Sequence, residues 1–201
     1  MKKITILILS LILTIQLFGQ DSQNVFKSFS DFKEMNPSQK FDFQLKQRTM
    51  GNVFMTGGIT NHMIKKANPS TTLEYLTKEA WGVFVDDSVF INSYPYSKLI
   101  GYNKILGVGY YCYFIGEPAR FKEEQLNLGI IKQGEPQKGV CCNTCYVILT
   151  DGTVKWLNPD YLKELISDNS DLVAELESKK LTPDSVYEMF EILDKYNETK
   201  K

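Results

Sequence analysis

The chain is poor in the residues that carry most chemistry. His62 is its only histidine, and Asn61-His62-Met63 sets no nucleophile beside it, as a Cys–His or Ser–His mechanism requires. It reads as an ordinary surface or half-buried ring. A Gly-x-Ser-x-Gly elbow, a phosphate-cradling glycine loop and a His-Glu-x-x-His helix are all missing. Neither sign of charge is in excess: 23 Lys and Arg face 24 Asp and Glu. That balance leaves no electrostatic reason to expect nucleic acid or an acidic membrane as partner. After the signal-like start, no apolar run approaches the ~20 residues needed to span a bilayer. No cofactor is expected.

What is present begins at the N-terminus. Lys2 and Lys3 precede an apolar run from Ile4 to Phe18, and Gly19 offers a small residue for cleavage. Residues 1–20 are read as a secretory signal peptide cut after Gly19 or Gln20, with an uncleaved anchor as the alternative. No cysteine stands there to take a lipid. Loss of Lys2 and Lys3 leaves the mature chain slightly acidic. The protein is expected to be exported to the periplasm or cell envelope, or beyond the cell. One domain is expected over 21–197, with a frayed polar tail at 198–201.

Val25, Phe26, Phe29 and Phe32 recur at helical spacing and predict a helix over 22–35, its Phe face docked on a sheet. Phe41, Phe43 and Leu45 alternate with polar residues, the mark of a half-buried strand. Gly51-Asn52 predicts a turn with a returning strand at 53–56, and Gly57-Gly58 a bulge or bend. Residues 59–66 fit strand or helix. Thr71 and Glu74 predict a capped short helix. Residues 81–85 and 89–92 predict a hairpin through Asp86-Asp87-Ser88. An acidic pair can bind metal or move protons, but at a turn tip Asp serves local hydrogen bonding. Residues 93–103 read as irregular.

Residues 107–116 (GVGYYCYFIG) read as a central core strand, and 141–150 (CCNTCYVILT) as a second. A long connection from 117 to 139 joins them, with an extra strand at 126–132. Glu117, Glu123, Glu124 and Glu135 could pair there as catalytic carboxylates, though a solvated loop accounts for them. Asp151-Gly152 predicts a hairpin with positive φ at both positions. Helices are expected after Asn158-Pro159, around 168–170 and after Thr182-Pro183. The whole predicts an α+β domain: an antiparallel sheet of about six to eight strands, curled toward a half-barrel, with an N-terminal helix and C-terminal helices packed against it.

Four cysteines in an exported chain point first to disulfides. Cys141 and Cys142 are neighbours, ~3.8 Å apart at Cα, below the usual bridging range. Cys142 and Cys145 bridge only if Asn143-Thr144 turns. Cys112 can face Cys145 if the second strand starts there, and otherwise reaches Cys141 or Cys142. One bridge from Cys112 and a second pair within 141–145 are the expectation. Reduced thiols, a zinc site and a Cys-x-x-Cys exchange site at Cys142–Cys145 are the alternatives. The exchange site would open a helix, whereas a strand-forming run follows it here.

Six of the eleven tyrosines lie between Tyr94 and Tyr113. A phenol joins an apolar ring to a polar tip, so such a cluster lines a pocket or caps a sheet end. Tyr94, Tyr96 and Tyr102 are therefore the candidate ligand-binding residues. The run from Trp81 through Gly82, Val83, Phe84, Val85, Asp86 and Asp87 is followed by Phe90-Ile91-Asn92 and the Tyr-rich strand. Later come Gly152-x-Val154, Leu157, Asn158-Pro159, Asp171-Leu172 and a helix closing on Lys195-Tyr196-Asn197. This arrangement, over roughly 80–197, resembles small exported proteins of Bacteroidota with no assigned function. The resemblance implies a Gram-negative envelope address and brings no active site, and the cysteine cluster is not part of it. The expected function is non-enzymatic binding of a small ligand or an envelope protein. A thiol–disulfide redox protein and a structural subunit of an envelope complex are the alternatives.

Overall fold

The computed structural model describes residues 23–56, 61–68, 70–117 and 144–201. The expected signal peptide, the Gly57-Gly58 bend, the strand at 126–132, and Cys141, Cys142, Glu123, Glu124 and Glu135 lie outside the described residues. Nine described strands form one antiparallel sheet: β1 (Gln23–Phe26), β2 (Gln39–Gln47), β3 (His62–Asn68), β4 (Gly82–Val85), β5 (Ser88–Asn92), β6 (Tyr102–Gly107), β7 (Cys112–Gly116), β8 (Thr144–Ile148) and β9 (Val154–Trp156). The described helices are α1 (Phe29–Lys33), α2 (Met50–Thr56), α3 (Ser70–Lys78), α4 (Tyr94–Ser97), α5 (Pro159–Leu165), α6 (Ser170–Lys179) and α7 (Val186–Thr199).

The strand order is β3-β2-β1-β4-β5-β6-β7-β8-β9. His62 also pairs with Tyr102, joining β3 to β6, so the first six strands close into a ring and β7–β9 extend from it. The α+β architecture with a curled antiparallel sheet is as expected, but the curl closes.

Adjacent residues on a strand point to opposite faces, and this sorts the core. In β1, Val25 joins Val83, Phe90, Tyr102 and Leu76 on one side, while Phe26 joins Phe32, Ile91, Phe114 and Tyr146 on the other. In β7 and β8, Tyr113, Cys145 and Val147 face α5–α7 and pack with Leu162, Ile166, Met189, Phe190 and Leu193. Cys112, Phe114, Tyr146 and Ile148 face the other way.

Several expected elements are corrected. The single helix over 22–35 is a strand and then a short helix. Val25 and Phe26 pair with β2 and β4, and the Ser28 side chain accepts from the Asp31 N–H to start α1 only afterwards. Phe26 and Phe32 are nonetheless buried, as a docked face requires. In place of the turn and strand at 51–56 stands α2, capped by Thr49, whose Oγ1 accepts from the Asn52 N–H at 3.2 Å. The stretch 107–116 is not one strand: 108–111 bend between β6 and β7. Gly107 is needed there, because a Cβ would lie 2.1 Å from the Tyr113 ring.

The two hairpin turns differ in kind. Asp86 and Asp87 both adopt positive φ, the two-residue type that matches strand twist. At 149–153 only Gly152 does, with φ +87. The Gly152 N–H donates to the Leu149 carbonyl and the Leu149 N–H to the Thr153 carbonyl, the longer loop of a type I turn closed by glycine. Expected irregular structure at 93–103 contains α4 and the start of β6. Just ahead of the tail expected to fray, Tyr196 and Asn197 are buried in α7. The Asn197 side chain accepts from the Tyr111 N–H and donates to the Tyr111 carbonyl, each at 2.9 Å.

Candidate functional site

Where the ring closes, the ends of several elements bring polar groups under cover. Arg48 follows β2, Asn61 precedes β3, Ser93 and Tyr96 lie at α4, Asn103 is in β6 and Glu117 follows β7. Backbone bonds lock these ends together: the Arg48 N–H donates to the Asn61 carbonyl at 2.9 Å, and the Ser93 N–H to the Gly101 carbonyl at 2.8 Å.

The side chains then interlock. The Asn103 amide donates to Ser93 Oγ at 2.8 Å and to the Tyr96 hydroxyl at 3.0 Å. Arg48 Nη1 lies 3.3 Å from Glu117 Oε1, with side-chain exposures of only 15% and 9%. The Tyr146 hydroxyl donates to the Glu117 carbonyl at 2.8 Å. Asn61 is buried against Gly101, and its Oδ1 has no hydrogen-bond partner among the described residues. A buried acceptor without a donor costs about 1–3 kcal/mol, so this atom is the unexplained feature of the cluster.

The three candidate tyrosines separate here. Tyr102 is a core residue, and its hydroxyl donates to the Leu76 carbonyl. With Asn92, whose amide reaches the Leu76, Thr77 and Ala80 carbonyls, it terminates α3. Tyr96 packs on Phe114 and Tyr146 and joins the polar cluster. Tyr94 is half-buried, with Lys98 Nζ 5.4 Å from its ring centre. Burial pushes the phenols of Tyr96 and Tyr102 far above their ordinary value.

Cys112 and Cys145 are free, buried thiols. Register explains why they do not face each other: Cys112 stands opposite Ile148 and Cys145 opposite Ile115, so the two sulfurs enter cores on opposite faces of the sheet. Burial raises both thiols, Cys145 to about 12. An exchange site needs the opposite shift, and Cys145 lies inside β8, not at a helix start.

His62 packs its ring 4.6 Å from that of Phe90. Burial and the nearby Lys104 lower its pKa, so it is neutral at physiological pH. Among the described residues no group of three His, Cys, Asp or Glu can hold a metal ion, and no helix is long and apolar enough to cross a membrane.

These shifts predict alkaline instability. A raised folded pKa means that the folded state keeps a proton the unfolded chain releases. The stabilisation is whole below the ordinary values, 9.0 for Cys145 and 10.0 for Tyr96 and Tyr102. It is lost progressively as pH rises beyond them. Urea midpoints measured from neutral to strongly alkaline pH should fall above this range, while both thiols resist a disulfide reagent until the chain unfolds.

Sequence reasoning missed Arg48, Asn61 and Asn103, which come from separate elements with no shared spacing. Glu117, expected in a solvated loop, is buried. The signal that existed was its position, one residue past a strand-forming run.

A family model described as a family of unknown function (DUF6563) matches residues 24–200. No curated protein and no solved structure matches the chain.

Proposed function

Starting from a chain that belongs to the family of unknown function DUF6563, we propose an exported, non-enzymatic ligand-binding protein of a Gram-negative envelope. The binding site is the polar cluster at the ring closure, with Tyr96 at its aromatic side. The ligand is a small polar molecule that brings an N–H or O–H group to Asn61 Oδ1. The signal-like residues 1–20 support export. The single observation behind the site is the orphaned Oδ1 of Asn61, the residue whose carbonyl accepts from the Arg48 N–H. Unsatisfied buried acceptors are rare and call for an explanation, and a ligand donor supplies one. Against redox chemistry stands the raised, strand-buried Cys145.

The test is Asn61→Leu, which keeps the side chain's size and removes the acceptor. Without ligand the variant should be more stable than the parent by about 1–2 kcal/mol in urea unfolding, since the orphan is gone. A small-molecule extract of the envelope should raise the parent's melting temperature and leave the variant's unchanged. A variant that loses stability, or that responds to the extract as the parent does, would sink the reading.

A further inference from the structure

One apolar surface belongs to none of the cores. On α2, Met50, Phe54 and Met55 are 73%, 89% and 79% exposed, and Val53 is half-buried. These side chains do not pack the sheet. Met50 and Phe54 are four residues apart and so share one helix face, which Met55 widens. Contiguous exposed apolar groups of this size mark an interaction surface.

The charge around the helix says what it meets. Between residues 39 and 68 the cations are Lys40, Lys46, Arg48, Lys65 and Lys66, against one carboxylate, Asp42. Arg48 is engaged with Glu117, while Lys40, Lys46, Lys65 and Lys66 are exposed. Lys46 stands opposite Met63 and Lys66 opposite Gln44 on the paired strands that carry α2. The balanced charge of the whole chain conceals this local excess.

We propose that α2 docks on a bilayer surface containing anionic phospholipid. Met50, Phe54 and Met55 enter the boundary between headgroups and acyl chains, and Lys46, Lys65 and Lys66 meet the headgroup phosphates. A short helix with a broad apolar face and neighbouring lysines is suited to lying in an interface. A protein groove would instead select a narrow stripe of anchors. The inference is independent of the ligand site, which lies under cover at the ring closure.

The test uses the protein purified from an exporting host, in the form the host leaves it. It is floated with vesicles of phosphatidylcholine alone or with a quarter phosphatidylglycerol. Binding should favour the anionic vesicles and weaken with salt. Phe54→Ser with Met55→Ser should lower it about tenfold or more, as loss of inserted apolar area requires. Lys46→Glu with Lys66→Glu should remove the preference for anionic lipid. All four positions are exposed, so folding is not at stake. No binding to either vesicle, equal binding to both, or binding unchanged by the serine pair would overturn the proposal. So would a Phe54-dependent dimer without lipid binding, which would make a second copy the occupant.

Discussion

Phe114→Ala is expected to cost about 3–5 kcal/mol of folding stability, the range for deleting a buried aromatic ring. Phe114 is fully buried in β7, stacked on Tyr146 with ring centres 5.1 Å apart and packed on Tyr96 at 5.6 Å. Its ring therefore supports the side chains that carry the polar cluster, and the cavity would loosen Tyr96 as well as the sheet. The exposed Phe54 is the internal control: Phe54→Ala should stay within about 0.5 kcal/mol. Urea unfolding of the two variants checks both, and a loss below about 1 kcal/mol for Phe114→Ala would contradict this packing.

Arg48→Met should be comparably damaging, at about 3–5 kcal/mol, because it removes the guanidinium held 3.3 Å from the buried Glu117 carboxylate. Removing both charges behaves differently. Arg48→Met with Glu117→Leu should recover most of the loss, since replacing a buried pair by apolar groups is often near neutral. A double variant as unstable as the single would mean that the destabilisation is lost packing of the arginine stem. The same urea series reads both.

What the sequence made legible was what local physics decides. The alternation Phe41-Asp42-Phe43-Gln44-Leu45 is a strand because one face must be buried and the other wet. Asn158-Pro159 opens α5 because the Asn158 side chain accepts from the Tyr161 N–H, a bond between near neighbours. The central run was misjudged because its punctuation is distant. Nothing in GVGYYCYFIG announces a bend at 108–111. That bend is held by Asn197, clamped to Tyr111 across the chain, and by Lys33, whose Nζ donates to the Gly109 carbonyl at 2.7 Å.

The first helix failed for a related reason. Phe26, Phe29 and Phe32 fit helical spacing, yet Phe26 is a strand residue and Phe32 a helix residue that meet in one aromatic cluster with Trp81. The α2 helix was invisible because it buries almost nothing, so its apolar residues follow no inward period. The candidate site was legible only at Tyr96. Arg48, Asn61, Asn103 and Glu117 converge through ring closure at the His62–Tyr102 pair, and a sequence does not display that long-range event.

The most direct test of the binding account is native mass measurement of the protein purified gently from its own envelope, beside Asn61→Leu prepared identically. The account predicts a discrete small-molecule adduct on the parent that vanishes on denaturation and is missing from the variant. Bare protein in both preparations, or the same adduct on both, would contradict it.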